Sequence, residues 1–83
     1  RYDQARRRYA RALALEPGHL GTNEYLGELY LRLDDLAAAT AQLGALKNIC
    51  GTGCREHGDL AAAIAGYRRT GRIQDHNQGK TVQ

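Results

Sequence analysis

Between Thr22 and Leu46 the apolar residues recur with helical spacing, stop, and start again. Leu26, Leu29, Tyr30 and Leu33 stand at i, i+3, i+4 and i+7, so they share one face of a helix, with Glu24, Glu28 and Arg32 elsewhere on its surface. Asp34-Asp35 breaks the run. A short carboxylate there accepts hydrogen bonds from the free N–H groups of a new helix start and suits its positive dipole end. The second helix turns Leu36, Ala39, Leu43 and Leu46 inward. Gly27 is expected opposite Ala39, two small residues that let the backbones approach along the seam of an antiparallel hairpin.

The flanks carry the same period. Tyr2, Ala5, Tyr9 and Ala12, at spacings of three, four and three, form the core face of a helix over residues 1–15. Pro17-Gly18 stops it, because proline lacks the N–H a helix needs and glycine accepts a left-handed turn. Thr22 or Asn23 is the expected cap of the next helix, and His19, between that cap and Pro17-Gly18, reads as a polar turn residue. Downstream, Asp59 is expected to cap a further helix with Leu60, Ala63, Ile64 and Tyr67 on its inner face, ended by Gly71. The tail RIQDHNQGKTVQ, which includes His76, is polar and aperiodic and reads as disordered. The fold class predicted is all-α.

The positions Leu26-Gly27, Tyr30, Ala39, Leu43 and Leu46 resemble a tetratricopeptide repeat, whose pattern has Leu-Gly, an aromatic three residues on, and a small then a large residue in the second helix. Asn23 stands where that family prefers Trp, Leu46 where it prefers Ala, and Gly51 where it prefers Pro, as in an atypical, terminal repeat. One period back, about 34 residues, the small, aromatic, small and proline positions fall on Ala5, Tyr9, Ala12 and Pro17. The resemblance covers about residues 2–68 and implies an α-solenoid of about one and a half repeats plus a closing helix. Its parts are the second helix of a truncated repeat over 1–17, a hairpin over 20–48, a Cys-Gly turn over 49–58, a closing helix over 59–70 that looks like a second helix, and the tail over 71–83. The chain is expected to be a fragment of a longer repeat protein whose uncovered first helix is masked by a neighbouring chain or by self-association.

In that family the first helix of each repeat lines a groove for peptides. The resemblance places Glu24, Glu28, Leu31 and Arg32 in the groove, with Gly21 at its entrance, and implies a non-enzymatic scaffold that binds a protein or peptide. Such a surface suits a basic or mixed peptide held by charge-assisted hydrogen bonds and one apolar anchor. The same residues also read as solvent-facing positions with a Glu28–Arg32 pair one turn apart.

At 83 residues and 42% hydrophobic, the chain is one domain at most. No stretch is long enough for a membrane span, and no signal peptide is visible. The net charge of +3 is uneven: residues 16–66 hold Glu16, Glu24, Glu28, Asp34, Asp35, Glu56 and Asp59 against Arg32, Lys47 and Arg55. The first helix is basic, with Arg1, Arg7, Arg8 and Arg11 outward and Arg6 nearer the seam. No aromatic residue interleaves with these arginines as in a base-stacking surface, so a solvated face is preferred to a nucleic-acid site. Arg68, Arg69 and Arg72 read as a solvated helix end favoured by the dipole.

The most chemical stretch is Cys50-Gly51-Thr52-Gly53-Cys54. The glycines permit the bend that a disulfide across so short a loop requires. Reduced thiols, a redox pair, or a metal site recruiting His57 are the alternatives. Cys50, Cys54 and His57 supply three ligands where structural zinc takes four, and the spacing departs from C-x2-C. The combination of repeat, Cys-Gly turn and last helix looks like the C-terminal end of bacterial tetratricopeptide proteins, many of them exported. That implies an oxidising compartment such as the periplasm and favours the bridge, with a cytoplasmic location the alternative. There is no serine, no phosphate-binding glycine loop and no catalytic carboxylate pair, so neither an enzyme nor a cofactor is expected. The alternative function is a metal-handling or thiol-redox module on Cys50, Cys54 and His57.

Overall fold

A computed structural model describes residues 1–71; Arg72, His76 and the rest of the expected disordered tail lie outside them. The protein is all-α. Its helices are α1 (Tyr2–Leu15), α2 (Leu20–Arg32), α3 (Leu36–Cys50) and α4 (Arg55–Thr70). Helix α2 is central. It packs against the other three, α4 also packs on α3, and α1 touches α2 alone.

The core lies where α2, α3 and α4 meet. Leu31, Ala39, Leu46, Leu60 and Ile64 are buried there, bordered by Leu20, Tyr30, Leu36, Leu43, Ala63 and Tyr67. Helix α1 contributes no fully buried residue. Its expected core face is only half-covered at Ala5, Tyr9 and Ala12, and Tyr2 is exposed.

A Cβ on Gly27 would stand 2.5 and 2.8 Å from the two Cδ atoms of Leu60. The missing side chain therefore makes room for α4. Ala39 is fully buried in the core cluster.

The helix ends show where local chemistry differs from expectation. His19, not Thr22 or Asn23, caps α2: its Nδ1 accepts from the Thr22 N–H at 3.1 Å. Asn23 lies one turn inside the helix, its side chain buried. Asp35 caps α3 by accepting from the Ala38 N–H at 3.0 Å. Asp34 has another task. It sits in the left-handed region at φ 59°, closing α2, and its carboxylate accepts from the Tyr67 hydroxyl at 2.8 Å. Leu33, expected on the core face, is the C-cap of α2 and is exposed.

Helix α3 runs on to Cys50, and α4 begins at Arg55 with Cys54 as its N-cap rather than at Asp59. The turn is thus residues 51–54, not 49–58. Early nucleation of α4 has a local reason: Glu56 lies in its first turn, and Arg55 bridges to Asp59 at 2.9 Å across one turn. Of the two turn glycines only Gly51 has positive φ, at 67° with ψ −152°, a combination open almost only to glycine. Gly51→Ala is expected to cost about 1–3 kcal/mol, read as a lower urea midpoint at unchanged slope. A change under half a kcal/mol would show that the turn relaxes without the strain. Gly71, at φ 76°, ends α4 as expected.

The element starts repeat. Tyr2 and Leu36, which open α1 and α3, are 34 residues apart, and Leu20 and Arg55, which open α2 and α4, are 35 apart. The same step carries Ala5, Tyr9 and Ala12 onto Ala39, Leu43 and Leu46, and Leu26 and Tyr30 onto Leu60 and Ile64. By this step α4 aligns with α2, whereas the sequence reading likened it to the second helix of a repeat. It packs accordingly, by Leu60 and Ile64 into the core.

Candidate functional site: the groove between α1 and α2

Because α1 lies on α2 alone, one flank of α2 stays open. It forms a groove of about 190 Å³ lined by Tyr9 of α1 and by Tyr25, Glu28, Leu29 and Arg32 of α2. The rings of Tyr9 and Tyr25 lie 6.1 Å apart between centroids and tilt 32° to each other. The Arg32 guanidinium stands over the Tyr2 ring, 5.7 Å from its centroid, a cation–π placement. Tyr25 is 54% exposed and Tyr2 48%. Three tyrosines, an arginine and a half-buried carboxyl thus share one surface.

The sequence-based groove set divides here. Glu28 and Arg32 line the groove. Leu31 does not: it is 1% exposed and belongs to the core with Leu46, Leu60 and Ile64. Glu24 is also buried, on the α4 side, near Arg55, Glu56 and Asp59. Gly21 is half-buried beside the His19 ring. The physical reason is that helices cover α2 on three sides. Its apolar arc is therefore wider than a single hairpin requires, and the arc extends through Gly27 to Leu31. Tyr9, Tyr25 and Leu29 are the groove residues that the sequence reading did not assign. Tyr25, an aromatic outside the helix's regular apolar stripe, was the available signal.

The electrostatics centre on the carboxyls of Glu24 and Glu28, hydrogen-bonded across one turn. Burial, then the Glu24 hydrogen bond and charge, with Asp59 adding, push Glu28 up to about 7; Arg32 opposes this. Burial also raises Glu24, with Asp59 and Glu56 of α4 contributing, against Glu28 and Arg55. The folded state therefore binds a proton at Glu28 more tightly than the unfolded chain does. This contribution to stability is complete below the ordinary glutamate pKa and is lost as pH rises through about 7. The thermal midpoint is expected to fall between pH 5 and pH 8, and Glu28→Gln to flatten the profile. An unchanged slope in that variant would assign the dependence elsewhere.

Among the described residues no group of three His, Cys, Asp or Glu is placed to hold a metal ion. The Cys50 and Cys54 sulfurs are joined, with Cα atoms 5.9 Å apart, so neither presents a thiolate to His57 in the adjoining helix turn. The bridge ties the end of α3 to the cap of α4. The outward arginines of α1 include Arg7, which with Arg6 pairs to Asp3, so part of the basic face is neutralised locally. Comparison of the chain with family models, with known proteins and with solved structures found no match. No helix among the described residues is long and apolar enough to cross a membrane.

Proposed function

We propose that the chain is part of a tetratricopeptide-like helical array and acts as a non-enzymatic scaffold, holding a protein or peptide partner in the α1–α2 groove. The observation that carries this is the exposure of Tyr25 in the groove beside Arg32, whose guanidinium stands over the exposed Tyr2. Tyrosine and arginine give much contact energy for little conformational entropy and are the residue types on which interfaces concentrate their affinity. The step of 34 to 35 residues between element starts supports the array. So does the seating of α4 on α2 and α3, where the first helix of a following repeat would lie. The Cys50–Cys54 bridge is compatible with an exported protein, which we include in the proposal.

Display selection of random peptides against the 83-residue chain tests this. Selected peptides should lose about tenfold or more in affinity, the cost of one good contact, against Tyr25→Ala and Arg32→Ala. They should keep their affinity against Cys50→Ser/Cys54→Ser. Peptides insensitive to the groove substitutions, or dependent on the cysteines, would refute the reading.

A further inference from the structure

The two sulfurs of the Cys50–Cys54 bridge belong to opposite helix poles. Cys50 is the last residue of α3, and Cys54 is the N-cap of α4, which starts without a side-chain cap. A helix carries partial negative charge where its last carbonyls go unpaired and partial positive charge where its first N–H groups do. The Cys50 sulfur meets the negative surroundings directly: it lies 3.2 Å from the Leu46 carbonyl oxygen and 3.8 Å from that of Gly51. Negative charge on sulfur is therefore favoured at Cys54 and opposed at Cys50. Charged neighbours do not reverse this order. Arg55 is tied to Glu56 and Asp59, His57 lies on the Cys54 side in the first turn of α4, and Lys47 on the last turn of α3 is exposed, where solvent screens it.

The bridge is also open to solution. Gly51, Thr52 and Gly53 are exposed, a Cβ on either glycine would meet nothing within 4 Å, and each cysteine is only half-buried. Breaking it spares the fold, because the buried Leu46 and Leu60 hold α3 and α4 in the core on either side of the turn. The loop is short, so the bridge adds less stability than a long-range one does.

We propose that Cys50–Cys54 is a thiol–disulfide exchange site of fixed polarity, at which a small thiol from solution attacks Cys50 and Cys54 leaves as the thiolate at the start of α4. Exchange is faster when the departing thiolate is the more stable one. In the first step the attacking thiolate forms a bond to Cys50 Sγ as the bond between the two cysteines breaks, and the electron pair leaves on Cys54 Sγ. In the second, another thiolate attacks the outer sulfur of this mixed disulfide and departs with it as a symmetric disulfide. The Cys50 sulfur then takes a proton from solvent, which it can donate to the Leu46 carbonyl. Two thiols are oxidised by two electrons in all, and the bridge is reduced by two. This is a covalent modification of the chain, separate from the groove and from the scaffold reading.

The probe is reduced glutathione, added in limiting amount to the intact oxidised chain. Quenching at early times with excess N-ethylmaleimide fixes the products, and peptide mass mapping locates them. Glutathione on Cys50 with maleimide on Cys54 should exceed the reverse arrangement about tenfold or more. This trapping uses the wild-type chain and so does not depend on a variant folding. Cys50→Ser and Cys54→Ser, each left with one thiol, give an independent readout. The iodoacetamide rate should begin to rise at lower pH for Cys54 than for Cys50, a difference that disappears in urea together with the helices. Adducts shared evenly or found mainly on Cys54, or the reverse order of the two rate profiles, would overturn the proposal. A bridge that millimolar glutathione leaves intact in the folded chain but opens in urea would also overturn it, leaving a purely structural disulfide.

Discussion

Leu60→Ala is expected to destabilise the fold by about 2–5 kcal/mol, the range for emptying a buried leucine site. Leu60 is fully buried, and its isobutyl group fills the space over Gly27 where α4 crosses α2. In a domain of this size that loss is a large share of the total stability. The reciprocal change is instructive. Gly27→Ala adds helix propensity worth up to about 1 kcal/mol. It also drives a methyl into the Leu60 side chain, and overpacking of this kind costs about 1–3 kcal/mol. Because Leu60 is enclosed and cannot swing away, the net effect is a loss of up to about 2 kcal/mol. In the Leu60→Ala background the clash is gone and Gly27→Ala becomes neutral or stabilising. Urea unfolding of the two single variants and the double variant should give a coupling energy of about 1–3 kcal/mol. Additive effects would mean that α4 does not seat on Gly27.

The second large effect is at Asn23. Its amide is 2% exposed and fully engaged: Nδ2 donates to the Pro17 carbonyl at 3.0 Å and to the His19 carbonyl at 2.8 Å, and Oδ1 accepts from Gln42 of α3 at 2.6 Å. One side chain thus fastens the turn before α2 to α2 itself and to α3. Asn23→Ala leaves the Gln42 amide and the two carbonyls without this partner and is expected to cost about 2–3 kcal/mol. Gln42→Ala should cost less, since it leaves only one acceptor open. Asn23→Asp keeps the shape but replaces the donor with a carboxylate facing two carbonyl oxygens. Burial and those oxygens disfavour the charged form, which raises the folded-state pKa above the unfolded value. The defect should therefore be mildest at acid pH and deepen as pH rises through that raised value. If Asn23→Asp matches wild type at neutral pH in urea unfolding, the hydrogen-bond assignment is wrong.

Leu60 was placed on a core face by its period, whereas Asn23 was read as a cap and only the structure shows it buried and hydrogen-bonded. The helical period of Tyr2, Ala5, Tyr9 and Ala12, of Leu26, Leu29 and Tyr30, of Leu36, Ala39, Leu43 and Leu46, and of Leu60, Ala63, Ile64 and Tyr67 placed four helices, and Pro17-Gly18 and Gly71 marked the ends of the first and last. These signals are local, because each depends on backbone chemistry within a few residues. The cap of α2 was not legible, because Thr22, Asn23 and His19 all carry acceptors and the choice falls to tertiary demand. Asn23 is drawn inward by Gln42, nineteen residues away, which leaves His19 to cap. The start of α4 was missed because Gly58 and the cysteine turn looked like loop, while Arg55–Asp59 and the bridge to Cys50 hold an extra turn.

What the sequence by itself determined was the all-α class, with the pairing of Cys50 with Cys54 the first of several options. Glu28 and Arg32 were named from the resemblance to a repeat groove, and in the structure both line the cleft between α1 and α2. Only the tertiary structure decided that Leu31 is core, that Glu24 is buried, that Gly27 serves α4, and that Tyr9 and Tyr25 meet across the groove. The reason is that periodicity reports how many faces a helix has, while burial depends on how many neighbours it has. Helix α2 has three, and its fourth side is the groove.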